Sequence, residues 1–138
     1  MTLYILDTDH ISLYQKSNSQ LVTRLQAIEA EELAVTIISA EEQLRGWFAA
    51  IRQANSEVRL QWAYLGLKEG IVYFNTIRVL DFTQDAISRY LALRSAKIRI
   101  GTQDLRIAAI VLSVDGILLT RNRRDFEQVP GLKIEDWS

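Results

Sequence analysis

Residues 3–14 read LYILDTDHISLY, an apolar run that ends in two carboxylates one residue apart. Leu3 to Asp7 has the pattern of a short buried strand running into a polar turn. Charge is costly beside a buried strand, so Asp7-Thr8-Asp9 needs a reason to be there. One reason is structural: Asp9 caps the short helix carrying Ile11, Leu13 and Tyr14, and Asp7 braces the turn. The other is chemical: acids gathered at strand ends can hold a cation. Acids recurring at equivalent places along the chain would favour the second.

Working outward, the spacing predicts a second helix from Asn18, with Leu21, Val22, Leu25 and Ile28 on one face. Leu33 to Ile38 is a β-branched run and reads as strand two. Ser39 opens a helix through Leu44, Trp47, Phe48 and Ile51. A longer helical stretch covers Val58 to Phe74, weakened by Gly66 and Gly70. Arg78 to Phe82 reads as a strand, and Thr83 begins a helix with Ala86, Ile87, Tyr90 and Leu91. Thr102 caps a nearly all-apolar helix from Gln103 to Ser113. Ile117 to Thr120 is a strand, Asn122 to Gln128 one or two helical turns, and Leu132 to Ile134 a last strand. Strands alternating with helices imply an α/β fold with a mostly parallel sheet. In such sheets the functional crevice lies beyond the carboxyl ends of the strands, near a reversal of strand order.

Acids do recur there. Asp7 follows strand one, and Glu42 stands in the first turn after strand two. Asp104 stands in the first turn of the apolar helix, and Asn122 and Asp125 follow the strand ending at Thr120. Each has a structural reading of its own. Ser39 to Glu42 matches a capping box, and Asp104 suits a helix macrodipole. Those readings leave the convergence unexplained. Carboxylates a few ångströms apart repel by roughly several kcal/mol at an effective dielectric near 20. A raised pKa or a bound cation relieves that, and oxygen-only ligands select Mg²⁺ or Mn²⁺ over zinc.

Composition narrows the field. The chain has 138 residues, 49% of them hydrophobic and 24% charged, which suits one globular domain over 1–138. Cysteine is absent, which excludes disulfides, thiolate zinc sites and a cysteine nucleophile. No apolar stretch reaches the roughly 18 residues that span a bilayer, and the N-terminus lacks a signal-peptide pattern; a cytoplasmic location is expected. The net charge of −1 does not advertise a nucleic-acid binder. Arg94, Lys97 and Arg99, then Arg121, Arg123 and Arg124, form two basic stretches that suit phosphate as well as a solvated surface. The single histidine, His10, reads as a solvated residue beside the first turn. One histidine cannot supply an acid–base pair, so chemistry here would rest on a metal-activated water held by carboxylates.

The ordered set LDTDHIS, AEEQLRG, GTQDLRIAAIVLS and LLTRNRRDFEQVPGLKIEDW resembles the PIN domains, and more narrowly the VapC-type ribonuclease toxins of bacterial toxin–antitoxin pairs. The resemblance spans essentially the whole chain. It implies a three-layer fold with a central sheet of four or five strands flanked by helices. It also implies Asp7, Glu42 and Asp104 as catalytic acids and metal ligands. Glu42 is preferred to Glu41 because the family's Glu usually precedes a Gly by four positions, here Gly46. A fourth family acid is replaced by Asn122, for which Asp125 can substitute, and Thr120 matches a small hydroxyl residue of the site. The reaction implied is Mg²⁺-dependent hydrolysis of RNA, with Mn²⁺ as substitute, leaving a 5′-phosphate and a 3′-hydroxyl. The partners implied are an RNA substrate, a small antitoxin and a second copy of the chain. Trp47, Trp62 and Tyr64 are candidates for the protein interfaces or for ordinary core packing.

Two other readings stand beside this one. A catalytically degenerate scaffold of the same fold would bind RNA or a protein without cutting, as Asn122 suggests. Asp7-Thr8-Asp9 also matches the start of haloacid-dehalogenase-like phosphatases, where the first Asp is a covalent nucleophile. That pattern wants a later adjacent acid pair, which the chain lacks beyond Lys97.

Overall fold

The computed structural model describes residues 2–138. Five short strands form one parallel sheet: β1 (Tyr4–Leu6), β2 (Leu33–Thr36), β3 (Arg78–Leu80), β4 (Ile117–Leu119) and β5 (Lys133–Glu135). Their order is β3-β2-β1-β4-β5. The chain therefore builds outward from β1 in one direction and then returns to its other side, so the reversal of strand order lies between β1 and β4. Around the sheet lie α1 (Thr8–Gln15), α2 (Ser19–Gln26), α3 (Ile37–Gln53), α4 (Glu57–Thr76), α5 (Gln84–Ser95), α6 (Thr102–Ser113) and the short α7 (Arg123–Phe126). No helix among the described residues is long and apolar enough to cross a membrane.

Successive strand residues face opposite layers. Ile5, Ala34 and Leu118 pack with α5 and α6, through Ala86, Tyr90, Leu105, Ala108 and Ile110. Leu6, Val35 and Leu119 pack with Ile11 of α1, Leu21 and Leu25 of α2, and Trp137. Full burial of each such aliphatic side chain contributes about 2 kcal/mol. α6 is apolar on most sides because it is covered on most sides: Leu105, Ile107, Ala108, Ala109, Ile110 and Val111 are all buried.

Several boundaries differ from those the sequence suggests, for identifiable reasons. β2 ends at Thr36, whose hydroxyl accepts the Ser39 N–H at 3.1 Å and caps α3. The β-branched pair Ile37-Ile38 is thus helical, and Ser39 is not a cap. Glu42 accordingly forms no capping box. At α6 the cap position is Gly101, with no side-chain bond, so Thr102 is not the cap either. Asn18 does cap α2, accepting the Leu21 N–H at 3.0 Å.

α4 runs unbroken through Gly66 and Gly70. Gly66 is where the Trp47 ring of α3 presses closest, and a Cβ there would overlap the indole. Trp47 in turn meets Trp62 edge to face, with centroids 5.1 Å apart. Tyr73 and Phe74 of α4 pack against the core, but core packing does not account for Trp62 and Tyr64, which are more than half exposed. Gly66→Ala is expected to cost about 1 kcal/mol net by thermal unfolding. Overpacking against an indole costs about 2 kcal/mol, and the gain in helix propensity returns about 1 kcal/mol of it. A variant as stable as the parent would mean the Trp47 ring moves aside freely.

Candidate active site

The site is built from β1 outward. The Asp7 N–H donates to the Leu119 carbonyl at 3.1 Å, which fixes the residue at the reversal between β1 and β4. Its side chain is only 9% exposed. Oδ1 accepts the His10 N–H at 2.7 Å, so Asp7, not Asp9, is the N-cap of α1. Asp9 turns outward instead, where Arg121 grips it with Nε at 2.7 Å and Nη2 at 3.0 Å. The capping role that the sequence gives to Asp9 therefore falls on Asp7. Oδ1 of Asp7 caps the helix, while Oδ2 accepts no hydrogen bond from any described residue.

Helical phase separates the two adjacent glutamates of α3 by about 100°. Glu41 is exposed and occupied, with Oε2 on Arg45 Nη2 at 3.0 Å and Oε1 on Gln103 Nε2 at 2.9 Å. Glu42 is partly buried and turned toward α1, where the Thr8 hydroxyl lies 2.7 Å from its Oε1. The same hydroxyl is 3.0 Å from Ser39 Oγ.

Asp104 stands in the first turn of α6, partly buried, with no hydrogen bond to another described residue. Burial pushes its carboxyl up to about 6, helped by the charges of Glu42, Asp7 and Asp125 in that order. On the far side of the crevice the Thr120 hydroxyl, fully buried at the end of β4, accepts the Asn122 N–H at 2.9 Å. Asn122 caps α7: its Oδ1 accepts the Asp125 N–H at 3.4 Å, and its Nδ2 donates to Asp125 Oδ2 at 3.0 Å. Asn122 thus takes the capping task, while Asp125 carries the charge that reaches Asp104.

The fold brings Asp7, Glu42 and Asp125 within electrostatic reach of Asp104. They converge without closing up: among the described residues, no three acidic or histidine side chains form a ready-made metal cage. The donor set still suits a hard cation, because every available atom is oxygen and Asp104 has neighbouring anions with no donor to offset them. A groove of about 580 Å³ between α1, α3 and α4 is a separate feature, lined by Trp47, Trp62 and Tyr73 and by none of these four acids.

Three residues contribute in ways that the sequence alone does not give. Thr8 serves Glu42, and its position between two acids was the available signal. Arg121 removes Asp9 from the cluster. His10 is fully buried, not solvated, because α1 turns it inward beside Ile11 and the segment after β5 covers it. Its Nε2 accepts the Trp137 N–H at 3.3 Å.

No protein-family model matches the chain. Ribonuclease VapC1 of Haemophilus influenzae (strain R2866) is 25% identical over 138 residues, covering 99% of this chain and 98% of its own. The tRNA(fMet)-specific endonuclease VapC of Salmonella typhimurium is 24% identical over 141 residues, covering 99% of both. Among solved structures, DNA-bound VapBC from Salmonella typhimurium shares the fold at a TM-score of 0.81 with 22% identity, covering all of both chains. A toxin–antitoxin complex from Klebsiella pneumoniae does so at 0.72 with 20% identity, covering 98% of both. End to end, the chain is similar in sequence to VapC ribonucleases and shares the fold of solved VapC-type PIN-domain toxins.

Proposed function

We propose that this chain is a Mg²⁺-dependent endoribonuclease, the toxin of a type II toxin–antitoxin pair, hydrolysing RNA phosphodiester bonds in the cytoplasm. The observation that carries the reading is Asp104: partly buried, without a hydrogen-bond donor, and facing the charges of Glu42, Asp7 and Asp125. Such a group is relieved by a proton or a divalent cation. The activities of the Haemophilus and Salmonella relatives support the choice of RNA.

In this reading Asp7, through its free Oδ2, together with Glu42 and Asp104 would hold Mg²⁺, with Mn²⁺ as substitute. When bound, the ion supplies a Lewis acid that makes water a nucleophile near neutral pH and offsets charge on the phosphate. The Thr8 hydroxyl holds Glu42 on the crevice side of α3. Thr120 and Asn122 fix the start of α7 and, through the Asn122 amide, the Asp125 carboxylate. An antitoxin partner is supported by the solved VapBC and toxin–antitoxin neighbours. The exposed Trp62 and Tyr64 suit a protein interface, with that partner or with a second copy in a homodimer.

The test is direct. Purified chain incubated with total RNA should produce new 5′-phosphate ends with Mg²⁺ and none with a chelator. RNA bound tightly without new ends would favour the non-cutting scaffold, for which Asn122 in place of an acid is the specific support. The phosphatase reading is disfavoured by the Asp9–Arg121 pair, which engages both oxygens of Asp9. A phosphoryl group trapped on Asp7 would restore it.

A further inference from the structure

His10 is the one histidine of the chain and is fully buried, yet none of the chemistry above uses its ring. The ring bridges two distant parts of the protein. Nε2 lies 3.3 Å from the backbone N–H of Trp137, so that nitrogen must present a lone pair. Asp136 Oδ1 is 3.6 Å from the same nitrogen, beyond hydrogen-bond distance. That oxygen already accepts the Ser138 N–H at 2.9 Å and the Ser138 hydroxyl at 2.6 Å. The ring proton therefore resides on Nδ1.

Nδ1 is buried with no hydrogen-bond partner among the described residues. Facing it, 3.5 Å away, is Oδ1 of Asp7. A buried N–H left unpaired is costly, and a carboxylate rotation of about 0.5 Å would pair it. The Trp137 amide that fixes the other side of the ring is itself held. The Trp137 indole packs on Tyr4 with centroids 4.7 Å apart, and the Arg24 guanidinium covers it at 4.6 Å.

We propose that His10 is a positioning residue for Asp7: its Nδ1–H, held from behind by the Trp137 amide, keeps Oδ1 at the helix cap and leaves Oδ2 turned to the crevice for a divalent cation. The proposal rests on the cation reading of the crevice, but its geometry can be tested apart from it. Once the Nδ1–H is paired, two donors from one residue hold Oδ1 and the carboxylate loses its freedom to rotate. The segment following β5 thereby supports an acid on β1, although the contact joins residues at opposite ends of the sequence.

Because the chain has one histidine, ¹⁵N NMR reads its ring nitrogens without ambiguity. The hydrogen bonding predicts the Nδ1–H tautomer with Nε2 unprotonated, and Asp7→Ala should move the Nδ1–H signal. An Nε2–H tautomer, or an Nδ1–H signal indifferent to Asp7→Ala, overturns the proposal. A second arm separates positioning from mere packing. His10→Asn places an amide N–H at the Nδ1 position, facing Asp7, whereas His10→Gln places its amide at the Nε2 position, facing Trp137. Mn²⁺ affinity, read by electron paramagnetic resonance, should fall about tenfold or more in His10→Gln and stay within about threefold of the parent in His10→Asn. Equal loss in both variants, the reverse order, or no loss in either overturns the positioning role. If the parent binds no Mn²⁺, the cation reading fails, and the ring-nitrogen result alone decides whether His10 orients Asp7.

Discussion

Asp7→Asn is expected to leave the protein folded and to lower RNA cleavage by about a thousandfold or more. Asparagine caps a helix as well as aspartate does, so its carbonyl can keep the bond from the His10 N–H that starts α1. What it loses is the negative charge, and with it the ability of the second oxygen to serve as a ligand. A thousandfold corresponds to about 4 kcal/mol of transition-state stabilisation, a reasonable share for one ligand of a catalytic ion. Asp7→Ala should lose the same activity and in addition about 1 kcal/mol of stability, the worth of the cap. Comparing single-turnover cleavage with thermal unfolding in both variants separates chemistry from folding. A folded Asp7→Asn protein that cuts within tenfold of the parent would remove Asp7 from the mechanism.

The layers of this fold are written plainly in its strands, and the details of its caps are not. Ile5 and Leu6, Ala34 and Val35, Leu118 and Leu119 alternate between two packed faces, so short β-branched and aliphatic runs suffice to find the sheet. The β2–α3 junction shows where such reasoning stops. Thr36 and Ser39, three apart, are both residue types that favour N-caps, and Ile37-Ile38 between them favours a strand by propensity. Tertiary packing of Ile38 against the core decides for a helix. That shift also governs the candidate site, because placing Glu42 rather than Glu41 toward α1 depends on helical phase. The position of Asp7 follows from an apolar run ending in an acid. The surroundings of His10 do not, since they depend on Trp137, 127 residues away. The Arg121 pairing that draws Asp9 out of the cluster spans 112 residues and is equally hidden in a linear reading.

Asp104→Asn is expected to reverse the stability order of variant and parent according to whether a divalent cation is present. Consider first the protein without metal. The Asp104 carboxyl is pushed up from 3.8 to about 6 by burial and by Glu42, Asp7 and Asp125. The native state therefore holds this proton more tightly than the unfolded state. The associated stability is fully present below the unfolded value and is lost as pH rises through about 6. The full shift would correspond to roughly 3 kcal/mol, but solvent around this partly exposed group screens that to on the order of 1 kcal/mol. Asp104→Asn removes the charge, so at pH 8 the variant should melt about 3 °C above the parent, and the gap should vanish near pH 4. Now add Mn²⁺ at about a hundredfold over its dissociation constant. The parent should gain about 2.7 kcal/mol, because the cation binds only the folded crevice, while the variant gains little. Melting curves at pH 4 and pH 8, with and without Mn²⁺, contain the whole comparison. A variant no more stable than the parent at pH 8 would mean that the acids do not crowd Asp104. Equal stabilisation of both proteins by Mn²⁺ would place the ion away from it.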